Sequence, residues 1–149
     1  MSQQSFAALP PSEDLKDLKR FSEEVQPCLN NTIQGRITTT DATVTTLLSV
    51  KLMANTTYLL EARVVARRTG GSSGTADDGA GYVIRAAYQT ATGTVTLIGA
   101  VSQIFVAESQ AGWNCTFDVS SPLVRLRVTG AANNNVSWAA RVTVDSVGT

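Results

Sequence analysis

From Gly35 to Thr149 apolar and polar residues alternate with a period of two, and this alternation constrains the fold more than any other feature of the chain. Successive side chains of a strand point to opposite faces, so a period of two marks strands with one face inward and one face in solvent. The segment 113–119 sets Trp113, Cys115, Phe117 and Val119 against Asn114, Thr116 and Asp118. In 136–145 the apolar set is Val136, Trp138, Ala140, Val142 and Val144. In 57–67 it is Tyr58, Leu60, Ala62, Val64 and Ala66, opposed by Thr57, Glu61, Arg63 and Arg67. Tyr82, Ile84, Ala86 and Tyr88 alternate in 82–89, and Val124, Leu126 and Val128 in 123–129. Residues 43–52 form a further strand and 36–40 a short one. The run 94–106 is apolar on both faces over part of its length, so it reads as a strand that is central or buried on both sides.

Composition supports the same reading. The chain holds 19 threonines and 16 valines, both β-branched and both at home on a pleated surface. Hydrophobic residues make up 43% of 149 residues, enough for one packed core. Turn signals separate the strands: Ala91-Thr92-Gly93, Ser120-Ser121-Pro122, and Gly130 to Asn135, whose asparagines tolerate positive φ. The long connection runs from Thr69 to Gly79 and reads as a flexible surface loop. Seven or eight strands with short turns predict a mainly β fold: an antiparallel, jelly-roll-like β-sandwich over 35–149.

Residues 1–34 read differently, as an N-terminal arm and helix for docking or oligomerisation. Residues 1–11 end in Pro10-Pro11, an extended stop. Residues 12–29 predict a short α-helix, with Ser12 as N-cap and Glu13, Asp14 and Asp17 near its positive end. Leu15, Leu18, Val25 and Leu29 form an apolar seam, with Phe21 beside it and Pro27 bending or ending the helix. A helix this short needs a surface to cover its stripe. That surface is the chain's own β-domain, a parallel bundle with other copies, or another protein.

Composition also narrows the chemistry. There is no histidine, the commonest general base and transition-metal ligand. Two cysteines, Cys28 and Cys115, cannot build a Cys₄ zinc site and read as small hydrophobes. Twelve basic and twelve acidic residues leave no net charge, against a nucleic-acid partner. No apolar run reaches the ~18 residues of a membrane span, and the first residues do not read as a secretory signal.

Local features are weak as sites. The loop 69–79 lacks the GxxxxGK[ST] pattern and a following helix, so it does not read as a phosphate cradle. Asp77 and Asp78 lack the further oxygen ligands that calcium requires. Trp113, Trp138, Tyr58, Tyr82 and Tyr88 sit on the apolar parity of their strands, which favours core packing over a sugar-stacking platform. Arg67-Arg68 and Arg125/Arg127 read as the wet side of a sheet. No nucleophile has a base in reach by pattern, so the expectation is a protein without catalytic residues, metal or cofactor. The candidate partner-contact residues are Gly70, Gly71, Asp77, Asp78, Asn133, Asn134 and Asn135.

The run Asn55 to Gly71, with Gly79-Ala80-Gly81-Tyr82, resembles a module of tailed-bacteriophage structural proteins. So does the stretch Val128 to Trp138, and the resemblance covers about residues 38–148. That module occurs at fibre ends and in capsid-surface proteins. The resemblance implies a non-enzymatic virion component, commonly a homotrimer, assembled in the host cytoplasm. The short chain has no shaft, which favours a trimeric capsid decoration, or cement, protein on the capsid surface, partnered by itself and by the major capsid protein or another virion protein. The alternatives are a tail-fibre or tail-tip receptor-binding module, with host glycan at the 69–79 and 130–135 loops, and a stand-alone carbohydrate-binding module.

Overall fold

The alternation resolves into eight strands in the computed structural model, which describes residues 31–149. In chain order they are β1 (Asn31–Thr39), β2 (Thr45–Lys51), β3 (Thr56–Gly71), β4 (Gly79–Ala91), β5 (Thr94–Glu108), β6 (Asn114–Ser120), β7 (Leu123–Thr129) and β8 (Asn134–Gly148). The helix expected over 12–29, with Leu15, Leu18, Phe21, Val25 and Leu29, lies outside the described residues. The short strand expected at 36–40 is a nine-residue strand that begins at Asn31, ahead of Gly35.

The strands form two antiparallel sheets, one of five in the order β1-β8-β3-β4-β5 and one of three in the order β2-β7-β6. Their inward faces meet in one core, where Leu60, Ala62, Ile84, Cys115, Val124, Leu126, Val128, Val136 and Val142 are fully buried. Trp138 is the centre of the aromatic packing. Its ring lies 6.3 Å from that of Tyr82, stacked, and 5.9 Å from that of Trp113, tilted. Trp113, Trp138, Tyr58, Tyr82 and Tyr88 are all buried, as their parity predicts. The Trp138 indole N–H donates to Thr39 Oγ1 at 2.9 Å, tying edge strand β1 to the core.

The topology departs from the expected jelly roll, which interlocks two Greek keys. Here β3, β4 and β5 stay side by side in one sheet as a meander. The tight β4–β5 turn explains the departure. Ala91 pairs with Thr94 across Thr92-Gly93, and Gly93 takes the positive φ that such a turn requires. A connection this short returns the chain beside the strand it left. The Ser121-Pro122 turn does the same between β6 and β7 in the smaller sheet.

Strand β5 corrects a second expectation. It is the edge of the five-stranded sheet and is largely exposed, not a central strand covered on both sides. Ile98, Ile104, Phe105 and Val106 are 42–54% exposed. The three-stranded sheet is too narrow to cover the whole strand, and after β5 the chain crosses to it. A side chain makes the closing link: Gln103 Nε2 donates to the Cys115 carbonyl at 2.8 Å and to Asn114 Oδ1 at 3.1 Å.

Candidate functional site

The two segments expected to contact partners lie side by side, because β3 pairs with β8 at its far end: Gly70 opposes Asn135 and Gly71 opposes Asn134. Gly70 and Gly71 therefore belong to a strand, and the loop proper is 72–78. That loop is braced rather than loose. Ser73 N–H donates to the Asn133 carbonyl at 2.9 Å. Arg68 donates to the carbonyls of Ser73 at 2.8 Å and Gly71 at 2.6 Å. Asp78 accepts from Thr75 N–H at 2.8 Å and Gln110 Nε2 at 2.6 Å. Asp77 pairs with Arg67.

Asn134 is 1% exposed, so it cannot touch a partner. Its place as a contact residue is corrected: the chain folds its side chain under the loop, beside Gly74. Asn133 and Asp77 stay exposed, both at positive φ. Among the described residues no group of three or more acids or cysteines could hold a metal ion, and no helix is long and apolar enough to cross a membrane.

The outer face of the five-stranded sheet carries a different constellation. Register brings together arginines that are far apart in sequence. Arg141 on β8 lies between Gln34 and Arg63, and Arg63 in turn opposes Val83, which opposes Phe105. The next row across the strands is Arg36, Ala139, Val65, Gly81 and Ala107. The row after it holds Thr38, Ser137, Arg67 and Gly79. Ser137 and Ala139 on β8 thus floor a trough that runs along the strand, with Arg36 of β1 on one bank and Arg63 and Arg67 of β3 on the other. Two hollows of about 530 Å³ and 210 Å³ follow it and share Arg36, Val65 and Ala139. The Phe105 ring on edge strand β5 lies beyond the trough, 3.9 Å from where a Cβ on Gly81 would stand.

The electrostatics of this face are lopsided. It bears Arg36, Arg63, Arg67, Arg85 and Arg141 against Glu61 and Asp145 on its strands, with Asp77 of the adjoining loop paired to Arg67. Glu61 sits between Arg85 and Arg63, at 2.5 and 3.3 Å. The hydrogen bond from Arg85 first, and Arg63 after it, hold its carboxyl below the usual range against the opposing effect of burial. Arg36 and Arg141 form no ion pair with any described residue. On the smaller sheet the pattern differs. Asp118 accepts two hydrogen bonds from Arg125 at 2.7 Å, and Arg127 is half-buried. Arg125 and Arg127 are thus committed within the fold. The sequence pattern alone does not reveal the outer-face cluster, because only the register joins residues 36, 63 and 141.

No protein-family model and no curated protein matches the sequence. Solved structures do match in fold. The tailspike protein of Acinetobacter baumannii phage AM24 aligns at a TM-score of 0.54 and 10% identity, over 85% of this chain and 27% of that one. The tailspike gp49 of A. baumannii bacteriophage Fri1, a capsular polysaccharide depolymerase, aligns at 0.42 and 10%, over 79% of this chain and 19% of that one. The tailspike of Acinetobacter phage vB_ApiP_P1 aligns at 0.37 and 12%, over 80% and 22%. The chain therefore spans about a quarter or less of these tailspikes. Its fold matches that of a segment of the AM24 tailspike. The expectation of a protein outside the enzymes finds no support among these neighbours, one of which, Fri1 gp49, is described as a capsular polysaccharide depolymerase.

Proposed function

We propose that the chain is a tail-associated receptor-binding module of a bacteriophage virion. The observation that carries this reading is the fold shared with the AM24 tailspike over most of the chain. A tail protein as neighbour favours the receptor-binding alternative over the capsid decoration reading. The outer face supports the same choice, since an open, arginine-lined trough suits an external ligand better than a closed shell contact. Copies of the chain associate in this reading, and the exposed apolar edge of β5 supports such contact, because an uncovered strand edge is a template for pairing.

Gold-labelled antibody against the chain, applied to intact particles and viewed by electron microscopy, tests the proposal. Label at the tail tip or fibres supports it. Label spread over the head restores the decoration reading and removes this one. Light scattering on the full chain tests self-association: a mass of a single chain at all concentrations removes that part.

A further inference from the structure

We propose that the arginine-flanked trough on the outer face of the five-stranded sheet binds an acidic polysaccharide through its carboxylates. This rests on the receptor-binding reading and names the chemistry of its ligand. Three observations carry it.

First, Arg63 and Arg141 stand directly opposite each other on neighbouring strands. Like charges so placed weaken a sheet. Glu61 reaches Arg63 at 3.3 Å but leaves Arg141 unpaired, and Arg36 on the next strand is equally free of acids among the described residues. An anion lying between them removes the repulsion that the fold leaves in place. Second, eight of the nine cationic residues in 31–149 are arginine, and five of these eight crowd one face. A guanidinium fork matches a carboxylate with two parallel hydrogen bonds, which an ammonium cannot do. Third, the two hollows run on from one another along β8, between β1 and β3, with Arg36 on one bank and Arg63 and Arg67 on the other. An elongated trough fits a linear polymer better than a single small ion.

The features also choose among polymers. Rows two residues apart lie ~6.6 Å from one another along a strand, so Arg141, Arg36 and Arg67 succeed one another along the trough at a spacing of the order of one sugar residue. An acidic peptide strand gains most from free backbone groups at a sheet edge, and a sheet face has none to offer.

Isothermal titration of the full chain tests the proposal, with three probes at low and at physiological salt: polygalacturonate, neutral dextran and poly-glutamate. Polygalacturonate is expected to bind, weakening as salt rises, and dextran is not. The variant carrying Arg36→Gln, Arg63→Gln and Arg141→Gln is expected to lose about tenfold or more in affinity. Lys51→Gln, which removes one charge from the other sheet, is expected to bind as the parent does. Thermal melting of the triple variant at or above the parent value shows that the loss is not unfolding. Equal binding by the triple variant overturns the proposal. So does preference for poly-glutamate, which makes the face an acidic-protein contact, and so does absence of polygalacturonate binding. Tail-tip label on particles, with any of those results, leaves the receptor-binding reading standing and removes only the acidic ligand.

Discussion

Replacing Thr39 by valine tests whether one hydrogen bond holds edge strand β1 on the sandwich. The swap changes a hydroxyl for a methyl group and leaves the shape nearly intact. Thr39 is 4% exposed and Trp138 is 1% exposed, so no solvent reaches the indole N–H that Thr39 now accepts. A buried donor left without an acceptor costs ~1–3 kcal/mol. In a domain of this size 1 kcal/mol moves Tm by ~4 °C, so Thr39→Val should melt ~4–12 °C lower. Urea unfolding should show a lower midpoint with an unchanged slope. Trp138→Phe removes the donor as well as some packing. In the double variant the penalty of the orphaned N–H disappears, so the two changes should fall short of additivity by ~1 kcal/mol or more. A Thr39→Val melting point within about 1 °C of the parent, or strict additivity, would refute the reasoning. The result bears on function, because β1 carries Arg36 to the outer face.

Gly71→Ala should destabilise by more than ~1 kcal/mol, since φ is +100° and the new methyl runs into the Asn133 carbonyl; chemical denaturation reads the loss. Arg141→Gln should raise Tm slightly, by the ~0.2–1 kcal/mol scale of cross-strand charge pairs, while it weakens the anion titration; a lowered Tm sinks the repulsion argument. Glu61 has a folded pKa below its ordinary 4.5, so its contribution is present above that value and is lost as pH falls through the lowered one. Glu61→Gln should therefore melt lower than the parent at neutral pH and converge with it in acid, read as Tm against pH. Burial pushes the Cys115 thiol up to about 12. In a Cys28→Ser chain, Ellman's reagent at about pH 8 should therefore react only after unfolding, and rapid labelling of the native chain would show that the core opens.

Parity along each strand was legible without the structure, and so was most of the core. Tyr58, Tyr82, Tyr88, Trp113 and Trp138 all point inward where alternation puts them. Neighbours were not legible. Periodicity reports the faces of a strand and says nothing of which strands lie beside it. The apolar run 94–106 therefore reads as a covered strand, although β5 is an edge whose side chains overhang a narrower second sheet. Asn134 reads as a turn residue because asparagine favours turns, yet pairing with Gly71 carries it into β8 and under the loop. The arginine trough was invisible for the same reason. Each of its arginines reads singly as an ordinary solvated position on an alternating strand.

That invisibility follows from how a sandwich distributes its charge. Each strand commits one face to the core, so every charge on it must leave by the other face. In the three-stranded sheet the outward charges settle among themselves, with Asp118 serving both Arg125 and Arg127. In the five-stranded sheet the outward charges are mostly of one sign, and Glu61 is shared between Arg85 and Arg63. The strand order places β8 between β1 and β3, which sets Arg141 beside Arg63 and within one row of Arg36. A meander of the same sequences in chain order would scatter these three. The crossed connection that seats β8 in the sheet thus also assembles its positive face. The repulsion left there is the feature of this surface that stability alone does not explain.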